Sequence, residues 1–237
     1  RDGHCVLLKA NIEIPEEAEH AIAYGAEGIG LYRSEFLFLS PGRTADEEEQ
    51  YDAYHRVVVA MAGKPVTIRT VDVGGDKIIP DLQAAEEKNP LLGWRAIRFC
   101  LARRELFKTQ LRALLRAGVA GDLRIMFPMI SGLEELEDAL SALEEAKAEC
   151  AAKEQRFAKD IKVGIMIETP SAALTAAMLA SDCDFFSIGT NDLIQYTLAV
   201  DRGNEHVATL YSAADPAIFY LLRSVIHDAN KARIGLS

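Results

Sequence analysis

Seven short apolar runs rich in β-branched residues punctuate this chain: "CVLLKANI", "GIGLYRSE", "PVTIRTVD", "LRIMFPMI", "IKVGIMIE", "DFFSIGT" and, at the carboxyl end, "ARIGLS". Most are nearly continuous instead of alternating. A strand with one wet face alternates apolar and polar residues, whereas a continuous run fits a strand buried on both faces, as in a parallel sheet.

Amphipathic helical stretches fill the intervals. "TADEEEQYDAYHRVVVAMAG" opens with a capping-box pattern, Thr44 and Glu47, and sets Tyr51, Tyr54, Val57, Val58 and Met61 on one face. "RRELFKTQLRALLRAG" stacks Leu106, Phe107, Leu111, Leu114 and Leu115 and stops at Gly118. "SGLEELEDALSALEEAKAE" repeats the capping pattern with Ser131 and Glu134 and carries Leu133, Leu136, Leu140 and Leu143. "TPSAALTAAMLA" and "DPAIFYLLRSVIHDANKA" each place Pro at the first helical position, after Thr169 or Asp215.

No Pro/Gly/Ser linker or low-complexity segment divides this alternation, so residues 1–237 read as one α/β domain. A doubly wound sheet and a (β/α)8 barrel both fit. The length of 237 residues, close to the roughly 250 of a typical barrel, and the absence of a Gly-rich dinucleotide fingerprint favour the barrel. With an eighth strand and helix lacking, the expectation is a TIM barrel truncated at about its seventh strand.

Several partner classes are disfavoured. A net charge of −10 argues against nucleic acid or an anionic membrane. No segment approaches the ~20 apolar residues of a span, and "RDGHCVLLKANIE" lacks the order of a signal peptide. Cys5, Cys100, Cys150 and Cys183 are scattered without metal-ligand spacing, which predicts reduced thiols and a cytoplasmic setting.

Charges gather at the carboxyl ends of the strand runs. The second delivers Arg33, the third Arg69, the fifth Glu168 and the sixth Asn191 and Asp192, with Arg202 ten residues after Asp192. In a barrel all these ends face the rim where active sites assemble. Any one arginine could serve only in a salt bridge, Arg33 with Glu35 or Arg69 with Asp72. Guanidinium groups match phosphate and carboxylate, and two carboxylates at one site call for a cation. Mg2+ takes one or two protein carboxylates and completes its shell with substrate oxygens and water. The set therefore predicts a small phosphorylated anion bound with magnesium.

Other features carry less. "VGGDK", with Gly74, Gly75, Asp76 and Lys77, could approach a phosphate but lacks P-loop spacing, so an ordinary turn competes. Arg95, beside Trp94, fits a surface helix as well as a site. His4, His20, His55, His206 and His227 form no metal or triad pattern.

In order, "GLYRSEF", "RTVDVGGDK", "NPLLGWRAIR", "RIMFPMI", "IMIETP" and "SIGTNDLIQYTLAVDRGN" resemble the carboxyl-terminal barrel of the phosphoenolpyruvate-utilising enzymes across almost the whole chain. The "QYTLAVDRGN" continuation is similar to Enzyme I of the bacterial sugar phosphotransferase system. The resemblance implies that Arg33, Arg69 and Arg202 hold phosphoenolpyruvate, with Arg95 nearby. It implies further that Asn191 and the backbone at Asp192 position the phosphate, and that Glu168 and Asp192 ligate Mg2+. The family passes the phosphoryl group to a histidine on an amino-terminal domain, and from there to the histidine phosphocarrier protein; it works as a homodimer and leaves pyruvate. No segment here resembles that histidine domain, and the chain ends before the family's proton-donating "CGE" motif, so the expectation is a fragment that binds without turning over. The alternatives are the barrel of a pyruvate phosphate dikinase or phosphoenolpyruvate synthase, and a non-catalytic phosphoenolpyruvate-sensing module.

Overall fold

The computed structural model describes Gly3 and residues 5–38, 44–73 and 89–237. All seven apolar runs contain a strand. Strand order in the sheet follows sequence order from β1 to β7. The chain divides into two compact units, residues 1–125 with 141–161 and residues 126–140 with 162–237.

The first unit holds β1 (Ala10–Ile12), α1 (Glu17–Ala23), β2 (Ile29–Arg33), α2 (Glu47–Ala60), β3 (Val66–Arg69), α3 (Ala96–Ala102) and α4 (Arg104–Ala117). β4 (Leu123–Phe127) and α5 (Leu133–Ala152) run through the boundary between the units. β1, β2 and β3 pair in parallel, and the register sets Arg33 opposite Arg69, so both arginines end their strands side by side. Behind them Tyr32, Tyr54, Val57, Met61, Ile68, Phe99, Phe107, Leu111 and Leu114 are fully buried. The rings of Tyr32 and Tyr54 meet edge to face at 6.0 Å, the arrangement aromatic quadrupoles favour.

The second unit holds β5 (Lys162–Ile167), α6 (Pro170–Leu174), α7 (Ala176–Leu179), β6 (Phe185–Ile188), α8 (Thr190–Leu198), α9 (Pro216–Ala232) and β7 (Gly235–Leu236). β5 is buried without a break from Val163 to Ile167, as a parallel strand covered on both faces should be. It pairs with β6 from Gly164 opposite Phe185 to Ile167 opposite Ile188, and β6 pairs in turn with β7.

Local details depart from the expected caps. The cap of α2 is Asp46, whose carboxylate accepts the Glu49 amide at 2.9 Å while the Glu49 side chain accepts the Asp46 amide at 3.0 Å. Thr44 and Glu47 therefore do not form the box; three consecutive glutamates left its register open, and the better acceptor set it two residues on. Before α5, the Ser131 amide and hydroxyl both donate to Glu135, at 2.7 and 2.8 Å, and not to Glu134. The helix after Thr169 breaks into α6 and α7 at Thr175, whose hydroxyl donates to the Ser171 carbonyl at 2.9 Å. Gly118 ends α4 but keeps a right-handed conformation, φ −62° and ψ −14°. Its smallness answers crowding: a Cβ there would lie 3.0 Å from the Ala158 Cβ.

Candidate functional site

Within the first unit, the end of β3 builds a compact charge cluster. Arg69 donates to Glu35 Oε1 at 2.6 Å and to Asp72 Oδ2 at 3.0 Å. Asp72 Oδ1 accepts from Arg95 Nη2 at 2.6 Å and from its Nε at 3.1 Å. These four side chains are between 3% and 13% exposed, so solvent screens them little. Buried, charge-assisted contacts of this kind hold geometry firmly and are costly to break.

Each member is held from behind. The Ser34 hydroxyl donates to the Arg69 carbonyl at 2.8 Å, and the Gln110 amide donates to Ser34 Oγ at 3.0 Å and to Tyr54 Oη at 2.9 Å. The Val71 amide returns to Gln110 Oε1 at 3.1 Å. One buried glutamine on α4 thereby ties the ends of β2 and β3 to α2. Arg95 occupies the N-cap position of α3; Trp94 packs edge to face on Phe99 at 5.3 Å, and the Ala96 amide donates to the Val73 carbonyl at 3.2 Å. Ala96 takes φ +54°, a left-handed conformation that side chains resist, so tertiary contacts fix the turn that aims Arg95.

Arg33 behaves differently. It pairs with Glu13 at 2.5 Å, not with Glu35, and its side chain is 44% exposed. Glu35 is instead committed to Arg69, whereas the expected pairing of Arg69 with Asp72 is present.

Within the second unit, Glu168 follows β5 directly and is 2% exposed. Its Oε1 accepts the Met129 amide at 2.6 Å. Met129 has φ +57°, a conformation costing a non-glycine residue roughly 1–2 kcal/mol, which the charge-assisted bond helps to offset. Thr169, the cap of α6, donates to the Ile130 carbonyl at 3.0 Å and so fixes the same crossing. Gly189 lies against Glu168: a Cβ would sit 2.8 Å from the Glu168 Cβ and 2.9 Å from Oε2.

Asn191 and Asp192 fall in the first turn of α8 and not in strand β6, which stops at Ile188. The exposed Asn191 accepts the Tyr211 hydroxyl on Oδ1 at 3.1 Å, and Asp192 is half-buried. After α8, Ala199 at φ +54° turns the chain, and the Arg202 amide donates to the buried Gln195 Oε1 at 3.3 Å. The Arg202 side chain is exposed. Gly74, Gly75, Asp76 and Lys77 lie outside the described residues.

The structure thus joins Arg69 and Arg95 through Asp72, sets Arg33 beside Arg69 in register, and places Glu168 in contact with the residue that precedes α8. Sequence reasoning gave Glu35 and Asp72 only as salt-bridge partners, although both sit within three residues of an arginine. It missed Met129, Gln110, Gln195 and Tyr211, which carry no charge to draw the eye. Among the described residues no cluster of three His, Cys, Asp or Glu side chains could hold a metal. Glu168 and Asp192 offer hard carboxylate oxygens, a donor set that suits Mg2+ with its shell completed by substrate and water.

Comparison with known proteins shows the family and the fold. A family model described as PEP-utilising enzyme, PEP-binding domain, matches residues 1–237. The chain is 53% identical over 225 residues to the phosphoenolpyruvate-protein phosphotransferase of Staphylococcus carnosus, covering 95% of this chain and 39% of that protein. With the Bacillus subtilis protein of the same name it shares 50% identity over 231 residues, 98% of this chain and 40% of that one. The chain therefore spans about 40% of the length of these relatives. Among solved structures, a HpcH/Hpal aldolase/citrate lyase family protein from Burkholderia cenocepacia aligns with a TM-score of 0.58 at 13% identity, over 100% of this chain and 80% of that one. Macrophomate synthase aligns at 0.57 and 12% identity, over 97% of this chain and 70% of that one. These likenesses speak for the fold alone, which is α/β of the TIM-barrel kind. Matched over its whole length, the chain belongs to the PEP-binding domain family of the PEP-utilising enzymes.

Proposed function

We propose that the chain binds phosphoenolpyruvate together with Mg2+. We further propose that in the complete protein it serves a phosphotransferase that moves the phosphoryl group to a protein histidine and leaves pyruvate, the first step of phosphotransferase-linked sugar uptake. The observation that carries this reading is the buried cluster at the end of β3, where Asp72 holds Arg69 and Arg95 as a pair. Their planar donors suit the phosphate and carboxylate of a small phosphorylated acid, and Arg33 and Arg202 add donors that are open to solvent. The names of the relatives favour a phosphotransferase over a dikinase, a synthase or a sensing module.

In this reading the residues act by position and charge. Arg69 and Arg95 neutralise the anion, and Asn191 and the amide at Asp192 orient its phosphate. Glu168, fixed by the Met129 amide, and Asp192 would hold Mg2+, which would supply positive charge beside the bound anion. The histidine domain, the phosphocarrier protein, a homodimeric assembly and a cytoplasmic location belong to the same proposal.

Titration calorimetry of phosphoenolpyruvate with and without Mg2+ tests it. Arg69→Ala should weaken binding by about 2–5 kcal/mol, the range for truncating one partner of a buried charge pair. Equal affinity in wild type and variant, with metal and without, would remove the assigned site.

A further inference from the structure

Glu35 stands apart from the other acid of the arginine cluster. Asp72 uses both oxygens, one toward Arg95 and one toward Arg69, so it keeps a cation whichever arginine engages an anion. Among the described residues Glu35 has a single ion-pair partner, Arg69. Its Oε1 accepts from Arg69 at 2.6 Å, while its Oε2 is buried without a hydrogen-bond partner. With a side chain 9% exposed, water offers little compensation.

Charge balance makes this asymmetry consequential. Among the described residues two guanidiniums face two carboxylates, so these four groups carry no net charge among themselves with which to attract an anion. The titratable and charged groups that act on Glu35 among the described residues are Arg69 and Asp72 at the end of β3, Tyr32 on β2 and Tyr54 on α2. Of these only Arg69 is a cation. Burial already pushes the Glu35 carboxyl above the usual range, and Arg69 together with its own backbone amide pulls it back.

We propose that Glu35 is a displaceable counter-ion: an incoming phosphorylated acid takes Arg69 from it, and Glu35, left buried without a cation, accepts a proton from solvent on its free oxygen. The inference rests on the reading of Arg69 as an anion ligand. Neutralising Glu35 leaves one uncompensated positive charge in the cluster for the ligand. Anion binding and proton uptake are then one linked event, and each favours the other.

Phospholactate, the saturated analogue of phosphoenolpyruvate and no donor of its phosphoryl group, is the probe. It is titrated with Mg2+ into the complete protein in buffers of different ionisation enthalpy, which counts the protons exchanged per ligand bound. At about pH 8 the phosphate of the ligand is already fully ionised, so its own titration drops out. Wild type should take up more protons than Glu35→Gln, and Glu35→Gln should bind at least as tightly as wild type. Glu35→Asp, which keeps a carboxylate, should retain the uptake. The same proton count in wild type and Glu35→Gln overturns the inference, as does weaker binding by a folded Glu35→Gln. Wild type alone also decides the matter if the variant fails to fold, since no uptake beyond that of the ligand's own ionisation would refute the proposal. Arg69→Ala separates the two readings. If it binds like wild type, the site assignment falls; if it loses binding while the proton counts agree, only the role of Glu35 falls.

Discussion

Gly189 is a glycine for want of space. Its φ of −81° suits any residue, yet a Cβ would press into Glu168 at 2.8 Å. Gly189→Ala should therefore spare the fold and displace the carboxylate, costing roughly 1–3 kcal/mol in overpacking and weakening Mg2+-dependent ligand binding about tenfold or more. Calorimetry with and without metal checks this: a loss confined to the metal-containing titration is the expected outcome, and unchanged binding would show that Glu168 has room to move. At this scale the sequence was readable where partners are close in the chain. Arg69 and Asp72 are three residues apart and could be paired on spacing. Arg95 lies 23 residues from Asp72, and Glu13 lies 20 from Arg33, separations that spacing rules do not reach. Met129 could not be anticipated at all, because what it contributes is a main-chain amide in a left-handed turn.

Among the elements, α4 is tied to its neighbours by a basic stripe at four-residue intervals, Arg104, Lys108, Arg112 and Arg116. Arg112 pairs with Glu47 of α2 at 2.7 Å and with Glu149 of α5 at 2.5 Å; Arg116 pairs with Glu47 and Glu48 and lies 4.5 Å over the Tyr51 ring. Burial pushes the Glu47 carboxyl up, but Arg112 and Arg116 outweigh it and hold it below the ordinary range; Lys108 and then Arg112 lower Glu149. Because these carboxyls titrate lower in the folded chain than in the unfolded one, their stabilisation is complete above the unfolded value of about 4.3 and is lost as pH falls through the folded values. Arg112→Ala should cost about 1–3 kcal/mol at neutral pH in chemical denaturation, and the gap to wild type should narrow as pH falls below about 4. A gap independent of pH would assign the cost to lost packing. The strands were legible because burial on both faces writes a continuous apolar run. The helix caps were less so: the acidic runs around Asp46 and Glu135 offer several acceptors in a row, and only the folded backbone selects one. α8 was hidden because its first turn, Thr190 to Asp192, is polar and reads as a loop.

For the molecule as a whole, the thiols report on how tightly each region is closed. Cys5 is exposed, whereas Cys100 in the first unit is buried and its thiol is pushed up by burial. Cys183 in the second unit is partly exposed, with burial pushing its thiol up to about 12. At neutral pH a maleimide reagent should modify Cys5 promptly, Cys183 slowly for lack of thiolate, and Cys100 only on unfolding. Mass spectrometry of the time course checks the order, and labelling of Cys100 at the rate of Cys5 would contradict the buried environment described for α3. The α/β class followed from run length and spacing alone, while the division into two compact units left no mark in composition, because no linker separates them. The cluster at the end of β3 also constrains how such a chain can change over time. Arg69 serves Glu35 and Asp72, and Asp72 serves Arg69 and Arg95, so replacing Arg69 takes from Glu35 the cation it has among the described residues, whereas replacing Glu35 leaves Arg69 its contact with Asp72. Drift should therefore be freer at position 35 than at 69 or 72: across a deep set of relatives Arg69 and Asp72 should be kept or exchanged together, while Glu35→Gln should occur beside an intact Arg69.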